Sequence, residues 1–210
     1  MTEERRVSVS RETLISALFG DRAPLIERYA EILATDGVER GMIGPREAPR
    51  LWERHLLNSA VVCPRLPQGA TVADVGTGAG LPGVVWAIAR PDVQMTLIEP
   101  LLRRTRFLDD VVAVLGLTNV TIVRRRAEDV NDRFDVVTAR AVARMDKLAR
   151  WCLPLVGSGG IFLALKGSSA ATEVEEARGV LDRLGARSIV VTTYGDDQLE
   201  IPTTVVEVTR

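Results

Sequence analysis

Aromatic residues are scarce: Phe, Trp and Tyr together make up 4% of the 210-residue sequence. Aliphatic side chains must therefore fill the interior. Cysteine is limited to Cys63 and Cys152. Their wide separation and lack of metal-ligand spacing argue against a zinc module or a disulfide framework, and they read as reduced thiols of a cytoplasmic protein. No other residue set has metal-ligand spacing, so no metal is expected. No apolar run reaches the about 18 residues of a membrane-spanning helix. The opening MTEERRVSVSRETL lacks the apolar stretch of a secretory signal. Neither sign of charge dominates, the net charge being -1. Its distribution is uneven. Residues 101–150 carry eleven Lys/Arg against seven Asp/Glu, whereas 167–200 carry three against seven.

A hydrophobic fraction of 46% suits a full core, and the length suits one domain with a small extension. The first part reads as helical: Ser10 caps RETLISALFG, Pro24 opens a helix ending near Gly37, and Pro45 opens REAPRLWERHLLNSAVV. From residue 67 the pattern changes. Short valine-rich runs (ATVADV, VQMTLIE, NVTIVR, FDVVTAR) alternate with helical segments, and GGIFLALKG, RSIVVTTY and TTVVEVTR follow as further strands. The alternation predicts an α/β fold: a mixed, mostly parallel, Rossmann-like sheet of seven strands. No helix separates the last two strands, so the final strand is expected to be antiparallel. The expected division is a helical N-terminal extension, residues 1–66, on an α/β domain, residues 67–210.

The stretch ADVGTGAGLPG crowds Gly76, Gly78, Gly80 and Gly83 between the first strand and a helix. Glycine admits positive φ and close backbone approach, and Pro82 suits the helix start. Ligands of open α/β sheets sit at this carboxyl edge. The spacing fails the dinucleotide pattern, because Leu81 stands where its third glycine belongs, and no Lys-Ser/Thr follows as in a P-loop. A nicotinamide dehydrogenase is disfavoured accordingly. A smaller nucleoside with a zwitterionic tail fits better. Glu99 ends the second strand, where a carboxylate binds ribose hydroxyls. Asp74 precedes the glycines and is placed to orient loop amides or to meet an ammonium through water. Glu128 or Asp129, with the Ala127 amide, follows the third strand and is placed to approach an adenine ring. Several acids around one cleft suit a cationic ligand such as a sulfonium.

The block ADVGTGAGLPGVVWAIARPDVQMTLIEPLLRRTRFLDDV resembles S-adenosylmethionine-dependent methyltransferases. With RLWERHLLNSA upstream, and RAED, TARAVARMDKLARWCLPL and LALKG downstream, it is similar to the small-subunit ribosomal RNA guanine-N7 methyltransferases, also called the glucose-inhibited division protein B family. The resemblance runs from about Tyr29 to the C-terminus. Asn58 stands where many members carry Asp, and the chain ends before the tail of some relatives.

The resemblance implies an S-adenosyl-L-methionine site with Gly76 and Leu81 on the loop, Ala127 and Glu128 at the adenosine and Arg140 at the active edge, and the wider methyltransferase pattern puts Glu99 at the ribose. With Asp74 and Gly78 these form the expected donor-binding set, Arg140 being expected both to bind the donor and to serve as the catalytic residue. It implies methyl transfer to N7 of one guanine in the 530 loop of 16S rRNA. The implied partner is 16S rRNA in the small ribosomal subunit or its assembly intermediate, met by a cytoplasmic monomer. Another RNA, protein or small-molecule acceptor, or a binding module without activity, are the competing readings.

Guanine N7 carries a lone pair and no proton, so its methylation requires no general base. An Arg140 fork suits guanine O6 or a phosphate in a way Lys does not, and Arg140 is the residue expected to carry activity; a structural ion pair is the competing reading. Arg46, Arg50 and Arg54 are spaced to share one helix face, and Arg124, Arg125, Arg126, Arg144, Lys147 and Lys166 are further candidates for phosphates. His55, the only histidine, reads as a packed, hydrogen-bonded residue, and Trp52 as a packing anchor.

Overall fold

A computed structural model describes residues 9–210; the opening eight residues, part of the stretch read above for a signal, lie outside it. Three helices come first: α1 (Arg11–Phe19), α2 (Ala23–Ala34) and α3 (Asp36–Glu39). Ser10 caps α1, its Oγ accepting from the Thr13 amide at 3.2 Å. Pro24 falls in the first turn of α2, where no N–H is needed. This helix ends earlier than expected. Thr35 leaves helical geometry and its hydroxyl donates to the Glu31 carbonyl at 2.8 Å.

The segment read as one helix from Pro45 is composite. A turn leads into a 3-10 turn (Ala48–Arg50), a π turn (Trp52–Leu56) and then α4 (Leu57–Ala60). Pro49 brings no amide hydrogen, and the tight and wide turns lack the period of an α-helix. The spacing that would align Arg46, Arg50 and Arg54 on one helix face therefore does not hold.

The sheet contains β1 (Thr71–Val75), β2 (Gln94–Ile98), β3 (Val120–Val123), β4 (Phe134–Arg140), β5 (Val156–Lys166), β6 (Ser188–Tyr194) and β7 (Thr203–Thr209). Four helices connect them: α5 (Gly83–Ala89), α6 (Leu102–Leu115), α7 (Met145–Cys152) and α8 (Ala170–Arg183). The strand order is β3-β2-β1-β4-β5-β7-β6, with β7 antiparallel to both neighbours and the other pairings parallel. This is the mixed seven-stranded sheet expected from sequence. From β1 the chain winds outward to β3, then returns to lay β4 on the other side of β1, with Asp74 opposite Thr138. The carboxyl ends of β1 and β4 thus form the point where strand order reverses, the usual ligand crevice.

Leu14, Ile26, Tyr29, Leu33 and Leu56 from the N-terminal segment share one buried cluster with Val84, Trp86 and Phe107. The indole of Trp86, fully buried on α5, donates to the Ser59 carbonyl at 2.7 Å. A second cluster, on the other face of the sheet, packs α7 and α8 and contains Cys152; both cysteines are buried and unpaired. Among the described residues no helix is long and apolar enough to cross a membrane.

Candidate functional site

The glycine loop is held from behind by Asp74. This fully buried carboxylate accepts through Oδ2 from the Thr77 hydroxyl at 2.6 Å and the Gly83 amide at 2.8 Å. Burial pushes its acid up to about 6, against the lowering effect of those donors and of Arg140. Its Oδ1 is buried without a hydrogen-bond partner. The glycines divide by role. A Cβ at Gly83 would strike the Leu97 side chain and lie 2.8 Å from Asp74 Oδ2, while one at Gly80 would meet Val84 at 2.5 Å and the Tyr29 hydroxyl at 2.7 Å. The protein's own packing requires these two. Gly78 has φ of +61°, and the space beyond its Cα is open to a cavity. Gly76 lies under the side chain of Val142.

That cavity, about 600 Å³, is lined by the loop from Gly76 to Ala79 and by Leu81, Glu99, Arg104 and Arg140, with Met42 and Ile43 as apolar wall. Glu99 is 1% exposed. Its Oε2 accepts from the Gly78 amide at 3.1 Å and from Arg104 at 3.3 Å, and its Oε1 from the Leu101 amide at 3.1 Å. These donors aim the carboxylate at the mouth between β1 and β2. The N-terminal segment also grips the loop, for the Tyr29 hydroxyl donates to the Ala79 carbonyl.

Arg140 ends β4 and lines the same cavity. Its Nη1 donates to the His55 carbonyl at 3.1 Å and Ser59 Oγ at 3.0 Å. Its Nη2 donates to the Arg54 carbonyl at 2.6 Å and meets His55 Nδ1 at 2.8 Å. All four Nη hydrogens are therefore taken, because each Nη carries two. The guanidinium is neither the open fork nor the ion pair considered from sequence. It clasps the π turn to the end of the sheet.

A second cavity, about 620 Å³, lies on the other side of this clasp. Asn58, Lys166, Glu173 and Thr204 line it, and His55, Arg140 and Ala141 belong to both cavities. Asn58 donates to the Ile201 carbonyl at 2.7 Å, which fixes the segment before β7. Lys166 pairs with Glu173 at 2.6 Å, both side chains mostly buried, and also donates to the Ala143 carbonyl at 3.1 Å. Its charge is occupied in holding the segment after β4, not offered to a phosphate. Arg144 is paired with Glu176, and Lys147 lies over the Trp151 ring at 4.9 Å. Arg124, Arg125 and Arg126 are exposed.

Sequence reading brought Gly76, Gly78, Leu81, Glu99 and Arg140 to one cavity. Asp74 stands behind the loop. Ala127, buried, and Glu128, exposed, sit on a 3-10 turn after β3, outside the cavity wall. Tyr29, Glu47 and Ser59 were missed, because only the path of the N-terminal segment over the sheet edge brings them here. The scarcity of tyrosine was the one signal available for Tyr29.

A reversing parallel sheet with an antiparallel β7, a glycine loop after β1 and an acid at the end of β2 defines a class I, S-adenosylmethionine-dependent methyltransferase. A putative O-methyltransferase from Klebsiella pneumoniae has the same fold, at TM-score 0.59 and 17% identity over 96% of each chain. The family model for rRNA small subunit methyltransferase G matches residues 22–201. The ribosomal RNA small subunit methyltransferase G of Salinispora tropica is 55% identical over 207 residues, covering 94% of this chain and 86% of that protein. That of Thermobifida fusca is 56% identical over 194 residues, covering 91% and 82%. The chain belongs to the rRNA small subunit methyltransferase G family. Its residues fit the methyl donor: Gly78 leaves its backbone open to the cavity, Glu99 places a carboxylate on the cavity wall, and Met42, Ile43 and Leu81 form apolar wall.

Proposed function

We propose that this protein transfers a methyl group from S-adenosyl-L-methionine to N7 of a guanine in the 530 loop of 16S rRNA. The observation that carries this reading is the pair of cavities sharing His55, Arg140 and Ala141 as a common wall. One cavity takes the donor and the other the flipped-out base, and the methyl group crosses at Arg140.

The donor supplies an electrophilic methyl on a sulfonium. The chain supplies position. Asp74 fixes the loop; Gly76, Gly78 and Leu81 bound the donor; Glu99 holds its ribose. Ala127 and Glu128, beyond β2 in the sheet order, stand at its adenine end. No residue need remove a proton from N7, so alignment of donor and acceptor dominates catalysis. Arg140 serves by fixing the wall between them and by its charge.

The proposed division of labour gives residues 67–210 the glycine loop and Glu99 that hold the donor, and residues 1–66, the helical extension, part of the wall of both cavities, Met42 and Ile43 on the donor side and Glu47 and Asn58 on the acceptor side. The acceptor is 16S rRNA within the small subunit or its assembly intermediate, bound by a monomer in the cytoplasm. Of the basic residues singled out from sequence, Arg124, Arg125 and Arg126, together with Arg46 and Arg50, are exposed and stand to meet phosphates.

The experiment is transfer of labelled methyl from S-adenosylmethionine to small subunits from cells lacking this enzyme, with the product mapped by cleavage at N7-methylguanine. Label at one guanine supports the reading. Label at a different atom or on a different RNA, or none despite donor binding, overturns it.

A further inference from the structure

His55 is the only histidine in the chain, and it lies on the wall common to both cavities. Its two ring nitrogens have different partners. Nε2 lies 2.9 Å from Glu47 Oε2, and Nδ1 lies 2.8 Å from Arg140 Nη2. A guanidinium only donates. Nδ1 must therefore present its lone pair, which places the ring hydrogen on Nε2, where it donates to Glu47. One tautomer satisfies both contacts, and the doubly protonated ring satisfies only one.

Burial and the cations Arg140 and Arg54 oppose that second proton, while Glu47 favours it. Glu47 and Arg54 face the ring from its own segment and Arg140 from β4, with Asp74 behind Arg140 at the end of β1. Lys166 and Glu173 stand across the second cavity, already paired with each other. Burial is the largest influence on the imidazole and lowers its proton affinity; Arg140 lowers it further, and Glu47 works the other way.

We propose that His55 is a positioning residue for methyl transfer: as the neutral Nε2–H tautomer it accepts the last Nη hydrogen of Arg140 and holds that guanidinium between the two cavities, and its protonation releases it. This deepens, and rests on, the reading of the two cavities as donor and acceptor sites. A proton on Nδ1 sets two donors and two cations against each other. Arg140 then loses one of four anchors, and the wall that aligns the reactants loosens. His55 takes no proton from the substrate.

The test uses the intact protein. With one histidine, ¹⁵N labelling of that residue type gives a single imidazole whose tautomer and titration are read directly by NMR. The expected ring is the Nε2–H tautomer, titrating below its ordinary value of 6.5. Glu47→Gln should move that titration lower, and Arg140→Met should move it higher. Single-turnover methyl transfer to unmethylated small subunits should then show an acid limb at the His55 titration point, falling about tenfold per pH unit. His55→Asn, whose Oδ1 can stand near the place of Nδ1 and takes no proton in this range, should retain more activity than His55→Ala and should lose the acid limb.

An Nδ1–H tautomer, or a charged ring at neutral pH, overturns the proposal. So does an acid limb that survives in His55→Asn, because it then belongs to another group, Asp74 being the nearest candidate. Absence of methyl transfer by the wild-type protein at every pH is a failure of the functional reading, and it takes this role of His55 with it. The NMR tautomer distinguishes that case from a failure of the hydrogen-bond assignment alone.

Discussion

The hydroxyl of Tyr29 donates to the carbonyl of Ala79 at 2.7 Å, joining α2 to the glycine loop across fifty residues of chain. Tyr29 is fully buried, and burial holds its hydroxyl well above the ordinary phenolic range, so the donor hydrogen is always present. The N-terminal segment is thus part of the donor site's frame and not only a cover for the sheet.

Removal of that hydroxyl should be felt at the donor site. Tyr29→Phe leaves the ring in the core and the Ala79 carbonyl without its partner, a loss of about 1 kcal/mol of stability. Urea unfolding should register that loss, and calorimetry should register weaker S-adenosylmethionine binding. Unchanged donor affinity would mean that Asp74 holds the loop unaided.

The glycines should separate by substitution. Gly83→Ala drives a methyl group into Leu97 and Asp74 and should destabilise the fold by about 1–3 kcal/mol. Gly78→Ala meets no side chain but keeps a positive φ, a strain of about 1–2 kcal/mol, and intrudes where the donor should lie. Its donor affinity should fall more than its melting temperature. Equal donor affinity in Gly78→Ala and wild type would remove Gly78 from the site.

Asp74 gives a pH dependence with a definite sign. Its folded acid is raised from 3.8 to about 6, so the folded state binds this proton more tightly than the unfolded chain does. The stability it contributes is present below the unfolded value and is lost as pH rises toward 6. Asp74→Asn lacks the titration. The unfolding free energy of wild type minus that of Asp74→Asn should drop by on the order of 2 kcal/mol between about pH 4 and pH 7. A difference that is flat with pH, or rises, contradicts the buried, raised carboxyl.

Arg140→Lys keeps a charge but cannot reach Arg54, His55 and Ser59 together, because one ammonium replaces two Nη groups. Methyl transfer should fall by at least about tenfold, with a stability loss of about 1–3 kcal/mol from acceptors left unpaired. Single-turnover kinetics and urea melts measure the two effects. Wild-type turnover in this variant would show that a charge at that position suffices.

Much of the fold was legible because valine-rich strands and capped helices alternate with plain punctuation, as at Ser10, Gly20, Pro91 and Gly116. The segment from Pro45 to Ala60 was not, because its winding is set by Pro49 and by tertiary bonds from Arg140, which periodicity does not contain. In the site, strand-end residues such as Glu99 and Arg140 follow from topology and could be located from the sequence. The number of partners Arg140 satisfies could not. Those partners, Ser59 and the Arg54 and His55 groups, lie more than eighty residues away in sequence. The glycines show the same limit. Sequence marked all four as close approaches, but only the tertiary packing reveals that Gly76, Gly80 and Gly83 approach the protein's own side chains, and that Gly78 alone faces open space.

The decisive observation is a structure with S-adenosylmethionine bound. The donor should lie along the glycine loop with its ribose on Glu99 and its methyl directed past Arg140 and Ala141 toward the cavity of Asn58, Lys166 and Thr204. A donor seated elsewhere, or one whose methyl points away from that second cavity, would contradict the assignment of the two cavities to donor and acceptor.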